Sequence, residues 1–88
     1  MTDKEKRDAA VDAFAAAIKA RLDEQAAKGY TGWDGGYPSN VLRAEIVNDA
    51  AHGYRHKTDE KTVDIGARAM MLHFRSSNAG VHTPSEAR

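Results

Sequence analysis

The chain has no cysteine among its 88 residues, which excludes disulfide scaffolds, thiolate metal sites and thiol catalysis. It has no apolar run approaching the ~20 residues that span a bilayer. Neither charge is in excess, since thirteen Lys and Arg oppose thirteen Asp and Glu. A duplex-DNA binder carries a basic excess on one face and a DNA mimic an acidic one, so duplex DNA is not an expected partner. Large core side chains are scarce as well. Hydrophobic residues make up 41%, but alanine supplies much of that share. At this size the scarcity favours a helical domain that completes its core by oligomerising. Residues 1–7 are charged, unlike the start of a secretion signal. The expectation is one soluble all-α domain over residues 1–75, with no membrane partner and a cytoplasmic location (the host cytoplasm if the gene is phage-borne).

What is present is concentrated in residues 29–38, which hold four glycines, the only tryptophan and two of the three tyrosines. Glycine admits positive φ, and aromatic rings bring large area with a polar edge. A linker pairs glycine with small polar residues instead. The segment therefore reads as a folded loop that plugs a core or walls a site. Trp33 is expected to anchor the first helix to the second, with Tyr30 and Tyr37 meeting a ligand or partner.

Helical patterning surrounds this loop. Thr2 and Glu5 have capping-box spacing, and Val11, Phe14, Ile18 and Leu22 form a stripe at intervals of three and four. With Gly29 as a left-handed stop, the first helix is expected over about residues 3–28. Pro38, Ser39 and Asn40 offer a cap for a second helix, whose face is Leu42, Ile46, Ala50 and Gly53 and which fades around residues 54–56. Thr58 or Asp59 can cap a third helix reaching about Arg75. That helix carries Val63, Ile65, Gly66, Ala67, Ala69, Met70, Met71, Leu72 and Phe74 around nearly its whole circumference. A helix apolar all round is buried on more than one side. A self-association interface through Ile65, Ala69, Met71 and Leu72 follows, with Gly66, Ala67 and Ala69 permitting close approach. Residues 76–88 have almost nothing to bury and are expected to be disordered.

Three segments in order carry a family likeness: Lys28-Gly29-Tyr30-Thr31-Gly32-Trp33-Asp34, then Leu42-Arg43-Ala44-Glu45-Ile46, then Val63-Asp64-Ile65-Gly66-Ala67-Arg68-Ala69-Met70-Met71-Leu72. Over about residues 11–75 the chain resembles the small phage-borne proteins of the MazG-like all-α nucleoside triphosphate pyrophosphohydrolase superfamily, some of them dATP/dGTP pyrophosphohydrolases. The resemblance implies a three-helix MazG-like bundle. It also implies carboxylates, Glu-Glu-x-x-Glu on one helix and Glu-x-x-Asp on the next, that bind magnesium for attack on a triphosphate. Magnesium takes oxygen ligands and keeps several waters. Here the pattern is broken. One register offers Ala44, Glu45 and Asn48, the next Glu45, Ile46 and Asp49. Asp64 matches the aspartate, but Lys61 stands where the glutamate belongs. The best constructible magnesium set is Glu45, Asp49 and Asp64, and the bland reading pairs Glu45 and Asp49 with Arg43, Arg68 or His52 while Asp64 bridges to Arg68 one turn on.

The cations Arg43, Lys61 and Arg68 lie near where such a ligand's phosphates would sit, and a phosphate suits arginine and lysine directly. Lys57 and Arg75 read better as a solvated face. His52 and His56 have the i, i+4 spacing of helical zinc sites, though exposed polar histidines explain them as well. His73 reads as a core or interface histidine. The leading expectation is a non-catalytic binding protein needing no cofactor, which takes a nucleotide-like ligand or a host protein and forms a homo-oligomer. By analogy of context, it could serve against host defence. The alternatives are a magnesium-dependent (d)NTP pyrophosphohydrolase and a structural interaction module.

Overall fold

The computed structural model describes residues 1–77, and among these the chain is all-helical, three α-helices with no strand. Helix α1 spans Asp3–Ala27. Its start is the expected capping box: the Glu5 amide donates to Thr2 Oγ1 at 3.1 Å and the Thr2 amide donates to Glu5 Oε1 at 2.8 Å. Those bonds hold the Glu5 carboxyl below the ordinary glutamate range, the Thr2 backbone amide contributing most. At the other end the Gly29 amide donates to Ala26 O (3.0 Å) and the Tyr30 amide to Gln25 O (3.1 Å), with Gly29 at φ +91°. This pair of bonds is the Schellman closure that a glycine past the last turn permits.

Helix α2 spans Ser39–His56 and follows Pro38. No side chain caps its start, contrary to the expectation for Ser39 and Asn40. Ser39 is the first helical residue, its hydroxyl accepting from Arg75 at 3.1 Å, and the Asn40 oxygen accepts from Arg43 at 2.8 Å. The helix ends where expected. The Thr58 amide turns back to Gly53 O at 3.2 Å, and a Cβ on Gly53 would lie 2.9 Å from Thr58 O. Lys57 takes the left-handed conformation at φ +51°.

Helix α3 spans Thr62–Ser77, starting later than a cap at Thr58 or Asp59 implies. The Thr58 hydroxyl accepts instead from the Glu60 amide at 3.2 Å, closing a short turn before the helix. Ser76 and Ser77 belong to its last turn, so the expected disorder does not begin there; the remainder of that expectation lies outside the described residues.

Helix α3 is the hub, packing against both α1 and α2, which do not pack on each other. This answers the puzzle of its apolar circumference in part, because the chain's own helices cover it on two sides. Gly66 is where α1 crosses: a Cβ there would lie 2.3 Å from Phe14 Cζ and 3.1 Å from Ile18 Cδ1. Its smallness thus serves packing within the chain. Of the expected interface residues, Ile65, Met71 and Leu72 are half-buried and Ala69 is exposed. The core remains small. Among the described residues only Leu42 (2% exposed) and Ala67 are fully buried apolar side chains, and α1 buries none.

Candidate functional site

Because α1 and α2 touch only α3, an open groove of about 610 Å³ runs between them. One wall is Arg21, Leu22, Gln25 and Ala26 of α1, and the other is Leu42 and Glu45 of α2. Asp64, Ala67, Arg68, Met70 and Met71 of α3 make the floor, while Tyr30, Thr31, Trp33 and Tyr37 form a roof from the loop. Three of the six rings in the chain's phenylalanine, tyrosine and tryptophan set therefore face one cavity.

The roof is a built turn. Gly32, at φ +85°, presents its carbonyl to the amides of Gly35 (3.3 Å), Gly36 (2.9 Å) and Tyr37 (3.1 Å). A Cβ on Gly36 would lie 2.9 Å from Gly32 Cα, so only glycine fits that approach. Arg75 locks the turn from α3. It is 4% exposed and donates to Tyr37 O, to Ser39 Oγ at 3.1 Å, to Trp33 O at 3.1 Å and to Gly32 O at 3.5 Å. This corrects the solvated-face reading of Arg75. Its partners lie 36 to 43 positions away, and a backbone carbonyl leaves no mark in a sequence. Trp33 packs on Phe74 of α3, ring centroids 5.0 Å apart at 56°. The tryptophan thus ties the loop to the third helix, a different anchorage from the expected link between the first two.

The floor is organised by two guanidiniums. Arg68 donates through Nη1 to Asp49 Oδ2 and faces Glu45 Oε1 from Nε at 3.4 Å. Arg21 donates through Nε to Asp64 Oδ1 at 2.8 Å and through Nη1 to Glu24 at 2.7 Å. The Gln25 amide oxygen, turned to the guanidinium, accepts from it at 2.7 Å. The Asp64 bond raises the Arg21 pKa above its ordinary value. Each carboxylate of the expected magnesium set thus faces an arginine of the same chain. The pairing of Glu45 and Asp49 with Arg68 matches the bland reading, whereas Asp64 reaches across to α1 instead of bonding Arg68 one turn on.

The residues singled out from sequence distribute unevenly. Tyr30, Trp33, Tyr37, Glu45, Asp64 and Arg68 all line the groove. Asp49 stands behind Arg68 and off the lining, Arg43 holds Asn40 on an exposed face, and Lys61 lies outside the groove. Among the described residues no three His, Asp or Glu side chains converge as a metal-holding group. His52 instead pairs with Glu60 (Nε2 to Oε1 2.7 Å) and stacks against His56 with centroids 4.6 Å apart. His73 is exposed, so it is no core histidine. Arg21 and Gln25 were missed, and their place on the α1 stripe beside Leu22 was the available signal. Among the described residues no helix is long and apolar enough to cross a membrane. No family model, curated protein or solved structure matches the chain.

Proposed function

We propose that this chain is a small phage-type binding protein on a degenerate MazG-like scaffold, non-catalytic, whose groove takes a nucleotide-like ligand or a segment of a host protein. The observation that carries it is the charge pairing of the floor, with Glu45 and Asp49 on Arg68 and Asp64 on Arg21. Magnesium would have to displace both guanidiniums and then sit beside them, cation against cation. A phosphate meets the same guanidiniums favourably, because an arginine fork can be shared between oxygens. The rings of Tyr30, Trp33 and Tyr37 offer faces for a planar base. The same reading has the core completed by self-association, supported by the small number of fully buried apolar residues among the described ones, Leu42 and Ala67.

The test is thermal shift against dATP, dGTP and cyclic dinucleotides, with and without EDTA, beside a pyrophosphate-release assay in magnesium. The expected result is stabilisation that survives EDTA, without pyrophosphate release. Glu45 and Asp64 both line the groove, which favours the hydrolase as the second reading. Release of pyrophosphate that disappears in Glu45→Gln or Asp64→Asn would establish that alternative and overturn the first. An absence of any shift would leave protein contact as the groove's use.

A further inference from the structure

Among the charged side chains that line the groove, carboxylates outnumber cations: Asp23, Glu45 and Asp64 stand against Arg21 and Arg68. Two further carboxylates draw on the same guanidiniums from outside the lining, Glu24 on Arg21 and Asp49 on Arg68. Both cations thus hold partners within the chain, and the excess is negative. Asp23 presents that excess to solvent, being exposed and without a hydrogen bond or ion pair among the described residues. The roof adds ring faces, since Tyr30 is 65% exposed, Tyr37 47% and Trp33 40%. The turn carrying Trp33 and Tyr37 is fixed in advance, by Arg75 on the carbonyls of Gly32, Trp33 and Tyr37 and by Phe74 against Trp33. Open ring faces beside an unpaired carboxylate attract a cation, and rings already fixed do so with little ordering cost.

We infer that the groove receives a basic segment of a partner protein, a lysine or arginine side chain lying across the roof rings with its charged end on Asp23. This partner specifies the host-protein arm of the groove reading above and rests on that reading. A phosphate shares the two arginine forks only by standing among five carboxylates, whereas a lysine or arginine enters without displacing any bond. The aliphatic stem of such a side chain also suits the apolar part of the lining, Leu22, Leu42, Met70 and Met71. A polypeptide fits better than a small ammonium compound. The groove of about 610 Å³ is far larger than one ammonium group, and it lies open between two helices that do not pack on each other. The chain's formal net charge is zero, so the groove, and not the molecule at large, draws the basic segment.

Calorimetric titration of the full chain with Gly-Ser peptides carrying arginine, lysine or glutamate tests this. Emission of the sole tryptophan, which lines the groove, is the second readout. Asp23→Asn and Tyr30→Leu probe the site, with circular dichroism following helix content. Asp12→Asn and Tyr54→Leu are their controls, because both residues are exposed and lie off the groove. The arginine and lysine peptides are expected to bind and to change Trp33 emission, more weakly as salt is raised, and the glutamate peptide to do neither. Asp23→Asn and Tyr30→Leu are each expected to weaken binding by about 5-fold, with both controls unchanged. Equal weakening by Asp12→Asn and Asp23→Asn would overturn the inference, as would basic-peptide binding that leaves Trp33 emission unchanged. Failure of both basic peptides to bind would overturn it too, while a nucleotide shift that survives EDTA would leave the groove reading standing. Pyrophosphate release in magnesium would instead overturn the groove reading on which this partner rests.

Discussion

Arg75 holds the roof by bonding to backbone carbonyls, so its role depends on geometry more than on charge. An arginine fork reaches several acceptors at once, which a lysine ammonium cannot do from one position. Arg75→Ala is expected to cost about 3 kcal/mol in urea denaturation and to expose Trp33 to acrylamide quenching, with Arg75→Lys intermediate. A loss under 1 kcal/mol would show that the loop holds itself through Gly32. Arg68 is a different case, a cation between two carboxylates. Arg68→Ala is expected to lower stability by about 2 kcal/mol and to leave Glu45 and Asp49 open to a divalent ion. Millimolar magnesium should then restore part of the loss in the variant and nothing in the wild type. An equal response from both proteins would refute the account of the floor. Gly66 makes the third residue-scale prediction: Gly66→Ala is expected to cost about 2 kcal/mol by forcing the Phe14 ring aside. Phe14→Leu in the same chain should recover some of that cost, as a melting comparison would reveal.

At the scale of elements, α1 is held at both ends by local chemistry. Glu5 has a lowered carboxyl pKa in the folded chain, so its cap contributes fully above the ordinary glutamate range and is lost as pH falls through the lowered value. Hydrogen exchange at the first-turn amides should therefore lose protection on acidification, and Glu5→Gln should remove that pH dependence. Protection indifferent to pH would refute the cap's role. Local chemistry is also what a sequence exposes. The capping box, the Val11–Phe14–Ile18–Leu22 stripe and the Gly29 stop sit within a few positions of what they act on, and α1 was legible to within a residue. The start of α3 was not, because the Thr58 hydroxyl accepts from the Glu60 amide and closes a turn ahead of the helix, which begins at Thr62. Within the candidate site, Glu45, Asp64 and Arg68 could be named from helical spacing and family likeness, and the rings from composition. Their gathering in one groove depends on α3 lying between α1 and α2, which no periodicity states. The Arg21–Asp64 pair, 43 positions apart, was invisible for that reason.

The molecule as a whole has a hub and two spokes and very little interior. With only Leu42 and Ala67 fully buried among the apolar side chains of the described residues, the protomer sits near the lower limit at which a domain stands alone. If association completes it, stability belongs to the assembly and must depend on concentration. Each tenfold dilution is expected to lower the melting temperature by about 3 °C, and a melt independent of concentration would speak for a self-sufficient protomer. The absence of packing between α1 and α2 has a further consequence. With the roof latched to α3 through Arg75 and Trp33, α1 reaches the rest through the short Lys28–Gly29 joint and its seam on α3, made of the crossing over Gly66 and the Arg21–Asp64 pair. A chain cut at that joint would fall into two pieces, a single helix and a helical hairpin that keeps the roof. Mixing the halves would make reassembly a direct measure of the α1 seam, and a split reporter could be built on it.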